Sequence, residues 1–493
     1  MIESTVKNPP KKTAALHVAM ASPEITPFAK TGGLGDVLGS LPPALERVGL
    51  RLSLVMPAYR SVLKGNFNLE HTGTRFSVPI SDRVEKGTVL KGKLNNSIPV
   101  YFVRSDKYFD RANLYTSRKG DYLDNAERFI FFSRAVLEVL KNDPPSILHA
   151  HDWQSALSIV FLKTQPEIYP EFSRTRTVFS VHNLGYQGVF WGLDWHLLNL
   201  DWKFFIPEYL EFFNKINFLK GGVVFADSVT TVSPTYAKEI TTVEQGFGLE
   251  GVFQARSKNL IGILNGVDYT IWNPETDSAI ASTYNEDNLA GKAICKTELQ
   301  ALFGLEENPD VPIVSMVTRL TSQKGSDVVA AAMNDLMGRN LQFVMLGSGE
   351  KYYSEQFQKI AAQYPGRVGV ELAFDESKVH KIIAGADIIL LPSHYEPCGL
   401  TQMYGLCYGT VPVVRATGGL KDTVHEFNAE EGKGNGFLFN SNEVTDLLEA
   451  IDRALSFYQR KNLWVLLVRN GMREDYSWDK SASAYKDLYA SLF

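Results

Sequence analysis

The sequence predicts an α/β protein of two domains, each built on a parallel sheet packed between helices. Three observations predict it. Short apolar runs alternate with segments of helical spacing along the chain. Several runs are apolar at nearly every position, as strands buried on both faces should be. The scheme restarts in the second half, and a single sheet of so many strands would be unusual. The length of 493 residues agrees, since roughly 100–200 residues per domain allow two to four domains.

The strand-like runs of the first half are 16–22, 51–57, 98–105, 146–152, 177–183, 228–234 and 259–266. Those of the second are 311–320, 342–349, 368–374, 387–393 and 411–419. Stretches 126–140 and 153–164 repeat apolar residues at helical spacing. The boundary is expected after the run ending near Gly266, where WNPETD (272–277) is rich in turn formers. This gives domains at 14–266 and 267–478, followed by one amphipathic helix over 479–493.

Composition excludes several classes. Hydrophobic residues at 44% and charged residues at 21% supply large cores and argue against a disordered, collagen-like or coiled-coil chain. A net charge of −5, from 50 basic and 55 acidic residues, leaves no excess to neutralise a nucleic-acid backbone. No apolar run approaches the roughly 20 residues of a membrane span. The polar start MIESTVKNPPKK lacks the apolar core of a secretory signal. Cys295, Cys398 and Cys407 cannot all pair with one another, and none has zinc-ligand spacing. A reduced, cytosol-like compartment fits, and a processed organellar protein would look the same.

Five motifs can carry chemistry. In KTGGLGDV (30–37), Gly32 and Gly33 allow close backbone approach to a ligand. The helix starting near Leu34 offers free amides to an anion, and Lys30 adds a positive charge. The segment PEITPFAK separates the strand from the glycines, which weakens a dinucleotide-fingerprint reading. HAHDWQ (149–154) ends a buried strand, where α/β sheets place ligands. Asp152 suits a hydroxylated substrate, whereas His149 and His151 read better as structural residues than as metal ligands. His182 and Asn183 end another strand and suit sugar hydroxyls. Arg319 and Lys324 lie in one loop beyond a strand, where they form either a diphosphate clamp or a solvated basic loop. In HYEPCGLTQ (394–402), Glu396 stands at a strand end and Gly399, Leu400 and Thr401 open a helix. Cys398 reads as a buried thiol. The aromatic stretch 203–218 reads as packed core or an interdomain helix, with sugar stacking as the alternative. Finally, TGGLGD (31–36) is echoed by TGGLKD (417–422).

Together these residues resemble the bacterial glycogen synthase and plant-type starch synthase family. The pieces KTGGLGDV, YLDNAERFIFFSRA, LHAHDWQSAL, FSVHNLGYQG, FLKGGVVFADSVTTVSPTYAKEI, GFGLEGVF, ILNGVDYTIWNPETD, VTRLTSQKG, EPCGLTQ and TGGLKDTV run in family order over about residues 14–493. The resemblance implies two Rossmann-like domains facing a deep cleft, the type-B glycosyltransferase (GT-B) fold, with the last helix crossing back to the first domain. It implies a retaining glucosyltransferase that extends α-1,4-glucan chains from ADP-glucose, with no metal and no cofactor. Its partners would be a nucleotide sugar and a glucan acceptor, with no nucleic acid and no membrane span. The compartment would be the bacterial cytoplasm, or the plastid stroma or starch granule for a processed organellar protein.

Carried over by motif, Lys30 should contact the donor diphosphate, with Gly32, Gly33 and Asp36 in the same turn. Arg319 and Lys324 should hold the phosphates. Glu396 should bind glucose hydroxyls, and Cys398, Gly399, Leu400 and Thr401 should bring backbone amides to the phosphates. His182 should sit against the glucose with Asn183 beside it. Asp152 and Asn265 should line the sugar and acceptor region. Tyr115 is a departure, since the family has Pro-Tyr where this chain has LYT in a shorter loop. HY before EPCGL and AER after DN depart mildly. Other readings are a catalytically weak or granule-associated glucan-binding relative, a transferase of the same fold using UDP-glucose, a sucrose-linked transferase and a glycoside hydrolase.

Overall fold

The structure is a computed structural model, which describes residues 15–493 apart from 118 and 374. By its contacts the chain forms two compact units. The first runs through Phe179 and adds Gln187–Ser228 and Ala482–Phe493; the second is Ser180–Tyr186 with Val229–Ser481. This division differs from a boundary at 266. The reason is long-range bonding that no local pattern reveals: the helix Pro234–Glu239 bonds to the segments around Pro397 and Gly418.

The sheet strands that lie in the first unit are, in spatial order, 176–179 of the strand Arg176–Val181, then Ile147–His151, His17–Ala21, Arg51–Pro57, Ile98–Arg104, Arg83–Leu94 and Glu70–Ile80. His17–Ala21 pairs in parallel with Arg51–Pro57 and with Ile147–His151. All five residues of His17–Ala21 and of Ile147–His151 are buried, which explains their unbroken apolar character. The sheet is not parallel throughout, contrary to expectation. Glu70–Ile80 and Arg83–Leu94 form an antiparallel hairpin, and the latter pairs antiparallel with Ile98–Arg104. These two strands escape a search for apolar runs because much of each faces solvent and carries polar residues. Helix Gly33–Arg47 follows the first strand, and Asn125–Leu140 and Trp153–Thr164 supply further cover.

The stretch 203–218 is not a helix. It contributes a short 3-10 turn, Trp202–Phe204, and the strands Glu211–Phe212 and Lys215–Asn217, which pair with each other; Val189–Trp191 pairs with the latter. The C-terminal helix is Trp478–Ala490. Within the first unit Lys486 Nζ donates to Val48 O (2.8 Å), and Tyr489 Oη lies 2.8 Å from His149 Nδ1.

The second unit carries an all-parallel sheet in the order Val368–Glu371, Gln342–Leu346, Ile313–Val317, Ile388–Leu391, Val411–Arg415 and Phe437–Phe439. Its core packs Val314, Met316, Phe343 and Leu390 against Val329, Met333 and Ile451 of the flanking helices. Strands buried this way align their C-terminal ends along one edge, and the loops leaving that edge are where such sheets bind ligands. Among the described residues no helix is long and apolar enough to cross a membrane.

Candidate active site

The first unit places the KTGGLGDV turn directly before its helix. Gly32 is the N-cap and Asp36 lies in the first turn. Thr31, Gly32 and Gly33 are exposed, and a Cβ added at Gly32 or Gly33 would meet nothing within 4 Å. Lys30 Nζ donates to Asp36 Oδ1 at 3.1 Å, and both side chains are about one-third exposed. The backbone of this turn is anchored from beneath by Glu24, which is 4% exposed. Glu24 Oε2 accepts from Thr31 N (2.5 Å), and Oε1 accepts from Thr31 Oγ1 (2.7 Å) and Tyr115 Oη (2.7 Å). Tyr115 is therefore brought to the glycine turn despite the altered loop around it. Sequence reasoning missed Glu24, whose only signal is an acidic residue just past a buried strand.

Asp152 caps the helix Trp153–Thr164 with φ +56° and ψ 175°. That region is nearly closed to residues with a side chain, and holding one there costs of order 1–3 kcal/mol. Such strain concentrates at functional positions, and Asp152 stands where the strand Ile147–His151 ends. The rings of His149 and His151 pack against each other, centres 4.0 Å apart and planes tilted by 33°. Among the described residues no group of three or more His, Cys, Asp or Glu is arranged to hold a metal ion.

In the second unit three loops converge. The first is 182–186. His182 is 8% exposed, and burial lowers its pKa to about 3, so its imidazole is neutral at any ordinary pH. A neutral ring can donate one hydrogen bond to a sugar hydroxyl without adding charge. Asn183 Oδ1 accepts from Gly185 N (2.9 Å) and fixes the turn. The second loop carries Arg319 and Lys324. Arg319 is exposed, with Nη1 3.5 Å from Tyr186 Oη of the first loop. Lys324 ends a 3-10 turn, and Gly325 follows at φ +72°. A side chain at Gly325 would lie 2.2 Å from Pro392 O, so only glycine lets this loop pass so close to the third.

That third loop is 393–401. Glu396 is 6% exposed. Its Oε2 accepts from Lys324 Nζ (2.5 Å) and from Ser393 Oγ (3.1 Å). Both bonds fall on Oε2, which leaves Oε1 as the oxygen to accept from a substrate hydroxyl. A buried carboxylate without its cation would be strongly destabilised, so Glu396 and Lys324 are set together as a pair. Tyr395, which sequence reasoning also missed, links the loops: a Cβ on Gly185 would lie 2.4 Å from its Oη, and Phe247 packs edge-on to its ring at 5.2 Å. Burial pushes the Cys398 thiol up to about 12, which leaves it protonated and a poor nucleophile. Asn265 is buried, and its backbone amide bonds the Cys398 sulfur. Leu400 is the N-cap of the helix Thr401–Cys407. Gln402 Nε2 donates to Cys398 O (3.1 Å) and Gly399 O (3.0 Å), which stiffens the turn before the helix.

The second unit thus assembles His182, Asn183, Arg319, Lys324, Asn265, Glu396, Cys398, Gly399, Leu400 and Thr401. The first holds Lys30, Gly32, Gly33, Asp36, Tyr115 and Asp152. A guanidinium and an ammonium suit a diphosphate, and a buried carboxylate and a neutral imidazole on loops that meet through Tyr395 and Gly185 suit a sugar.

Comparison with known proteins points the same way. Residues 17–255 match the starch synthase catalytic domain model, and residues 300–464 match that of glycosyl transferases group 1. A glycogen synthase of Syntrophotalea carbinolica is 45% identical over 476 residues, covering 96% of this chain and 98% of its own. One from Koribacter versatilis is 46% identical over 478 residues, with the same coverage. Among solved structures, the catalytic domain of starch synthase IV from Arabidopsis thaliana, bound to ADP and acarbose, superposes with a TM-score of 0.89 at 33% identity. It covers 97% of this chain and 99% of its own. The fold is that of the type-B glycosyltransferases. A sucrose-phosphate synthase from Thermosynechococcus elongatus shares the fold alone, at TM-score 0.61 and 17% identity.

Proposed function

From the premise that this chain belongs to the bacterial glycogen synthase and plant-type starch synthase family and is a glucosyltransferase that extends glucan chains, we propose that it transfers glucose from ADP-glucose to the non-reducing end of an α-1,4-glucan with retention of configuration. The observation that carries this reading is the Lys324–Glu396 pair beside Arg319, within one unit and next to the loop of His182. It joins phosphate-type cations to a sugar-type carboxylate. A glycoside hydrolase would leave the cations without a role.

The residues divide the work. Arg319 and Lys324 neutralise the diphosphate as its bond to C1 of glucose breaks, with the amides of Gly399–Thr401 assisting, and Lys30 is the first unit's own cation for a phosphate. Glu396 Oε1 accepts from glucose hydroxyls and fixes the ring. His182 is neutral, so it donates a hydrogen bond and places no positive charge near the oxocarbenium-like sugar. In the second unit Asn265 helps line the sugar, and in the first Asp152 offers its carboxylate to a substrate hydroxyl. The acceptor 4-hydroxyl attacks the face that the diphosphate leaves, and its proton passes to the departing phosphate oxygen. A double displacement would need a nucleophile beneath C1 and a separate acid–base group. No cofactor or metal enters this scheme.

The test offers ADP-glucose and UDP-glucose separately with maltotriose, and reads chain length and anomeric configuration by NMR. The expected result is maltotetraose with a new α-1,4 bond, formed faster from ADP-glucose. A β-linked product, or glucan cleavage without nucleotide, would overturn the reading. Strong UDP-glucose preference would overturn the donor, and a trapped glycosyl ester on Glu396 would overturn the single-step route.

A further inference from the structure

One carboxylate of the second unit stands outside the reacting set and yet is bonded to the backbone beside it. Glu239 ends the helix Pro234–Glu239 and is half-buried. Its Oε1 accepts from Thr417 Oγ1 (3.1 Å) and Gly418 N (3.0 Å), and its Oε2 accepts from the same amide (3.1 Å). The same short helix is tied at its other end: Thr235 N and Oγ1 donate to Asp422 (2.8 and 2.6 Å), and Ser233 Oγ donates to Pro397 O (2.7 Å). The charged side chains that face Glu239 are Arg415 and Asp422, whose effects on it oppose each other.

The turn that Glu239 holds lies against Glu396. Gly418 has φ +45°, and a Cβ there would lie 1.8 Å from Glu396 O. Gly419 N donates to that same carbonyl at 3.1 Å, and a Cβ on Gly419 would meet Cys398 O at 2.1 Å. A continuous run of direct contacts therefore leads from the Glu239 carboxylate, through Thr417–Gly419, to the backbone of Glu396 and Cys398. No slack is available in it, since two of its members admit no side-chain atom.

We propose that Glu239 is a positioning residue for the glucosyl transfer: by clamping Thr417 and Gly418 it sets the backbone of Glu396, and so the direction in which that carboxylate meets the sugar and Lys324. This rests on reading Glu396 as the sugar-binding carboxylate. The bonds reach the Glu396 main chain and bypass the phosphate-binding cations. Loss of the clamp therefore bears first on the sugar step and less on nucleotide affinity.

The test uses the full chain with ADP-glucose and maltotriose, and compares Glu239→Ala, Glu239→Gln and Thr417→Val with the parent. Steady-state kcat is measured together with the Kd for ADP, which carries no glucose. Glu239→Ala is expected to lower kcat roughly 10- to 100-fold, the scale of lost hydrogen bonds to a charged group. Its Kd for ADP stays within about twofold. Glu239→Gln keeps an amide oxygen able to accept from both Thr417 and Gly418, and kcat stays within about threefold of the parent. Parental kcat in Glu239→Ala, equal losses in the Ala and Gln variants, or an ADP affinity that falls as far as kcat would each overturn the inference. Should Glu239→Ala not fold, Thr417→Val removes one donor of the clamp; a fall of about three- to tenfold supports the proposal and unchanged kcat refutes it. Glu396→Gln in the same assay reports separately on the reading of Glu396: a parental kcat there would overturn that reading, whatever the Glu239 variants do.

Discussion

The chain contains nearly the same six residues twice, and folds them into turns with opposite exposure. TGGLGD at 31–36 and TGGLKD at 417–422 each open a helix, Gly33–Arg47 and Gly418–Thr423. Each is held by a glutamate that accepts from a motif hydroxyl and a motif amide: Glu24 takes both from Thr31, and Glu239 takes them from Thr417 and Gly418. The final aspartates match as well, since Asp36 accepts from Thr26 and Asp422 accepts from Thr235. The difference lies in the glycines. Gly32 and Gly33 face open space, whereas Gly418 and Gly419 press on the carbonyls of Glu396 and Cys398. A glycine pair can keep space free for a ligand or let two main chains touch. Here one motif does the first and its echo does the second.

The largest expected effect tests the closed copy. Gly418→Ala places a methyl group 1.8 Å from a carbonyl oxygen at positive φ. It should destabilise the protein by about 3 kcal/mol or more and abolish transfer, as read by chemical denaturation and ADP release. The open copy should respond in the reverse way. Lys30→Ala removes one exposed ion pair with Asp36, so stability should change by no more than about 0.5 kcal/mol. The KM for ADP-glucose should still rise roughly 10- to 100-fold. Equal stability losses in the two variants would erase the distinction between the copies.

A third prediction concerns pH. Burial holds His182 at about 3 and His17 at about 4, against an ordinary value of 6.5. Between each folded value and 6.5 the unfolded chain binds more protons than the folded one, so stability rises with pH through that window and falls on acidification. Each histidine adds at most about 1.4 kcal/mol per pH unit to that slope. His182→Asn should flatten the acid limb of a denaturation–pH profile by its share. A profile as steep as the parent's would show that His182 is not buried neutral. The smallest effect is expected at the cysteine: Cys398→Ser should leave transfer within about threefold, because a thiol pushed up to about 12 is not a nucleophile at neutral pH.

How much of this could be read from sequence followed physical rules. Strands buried on both faces announced themselves as apolar runs, and the residues at their C-terminal ends, Asp152, His182, Arg319 and Glu396, stood out because such ends bind ligands. The hairpin 70–94 stayed hidden because half of it faces water and carries charges. In the stretch 203–218 the helix alternative failed, because many aromatics at close spacing imitate an apolar helix face, while Leu210, Ile216 and Phe218 are buried as packed core. Glu24 and Glu239 were illegible for a different reason. Each works on backbone amides, which every residue possesses, so no residue type marks the partner. Glu239 also lies 179 positions from Gly418. The TGGL echo was visible, but its two environments were not, since exposure of a glycine leaves no trace in its own side chain.

The most direct test is the melting temperature of Gly33→Ala with and without saturating ADP-glucose. A ligand that binds the folded state raises that temperature by an amount that grows with the logarithm of its concentration over Kd. The open-turn account predicts an unliganded value equal to or slightly above the parent's, because alanine suits a helix start and meets nothing there, together with a smaller rise on adding ADP-glucose. A lowered unliganded value with the parent's full ligand-induced rise would contradict it.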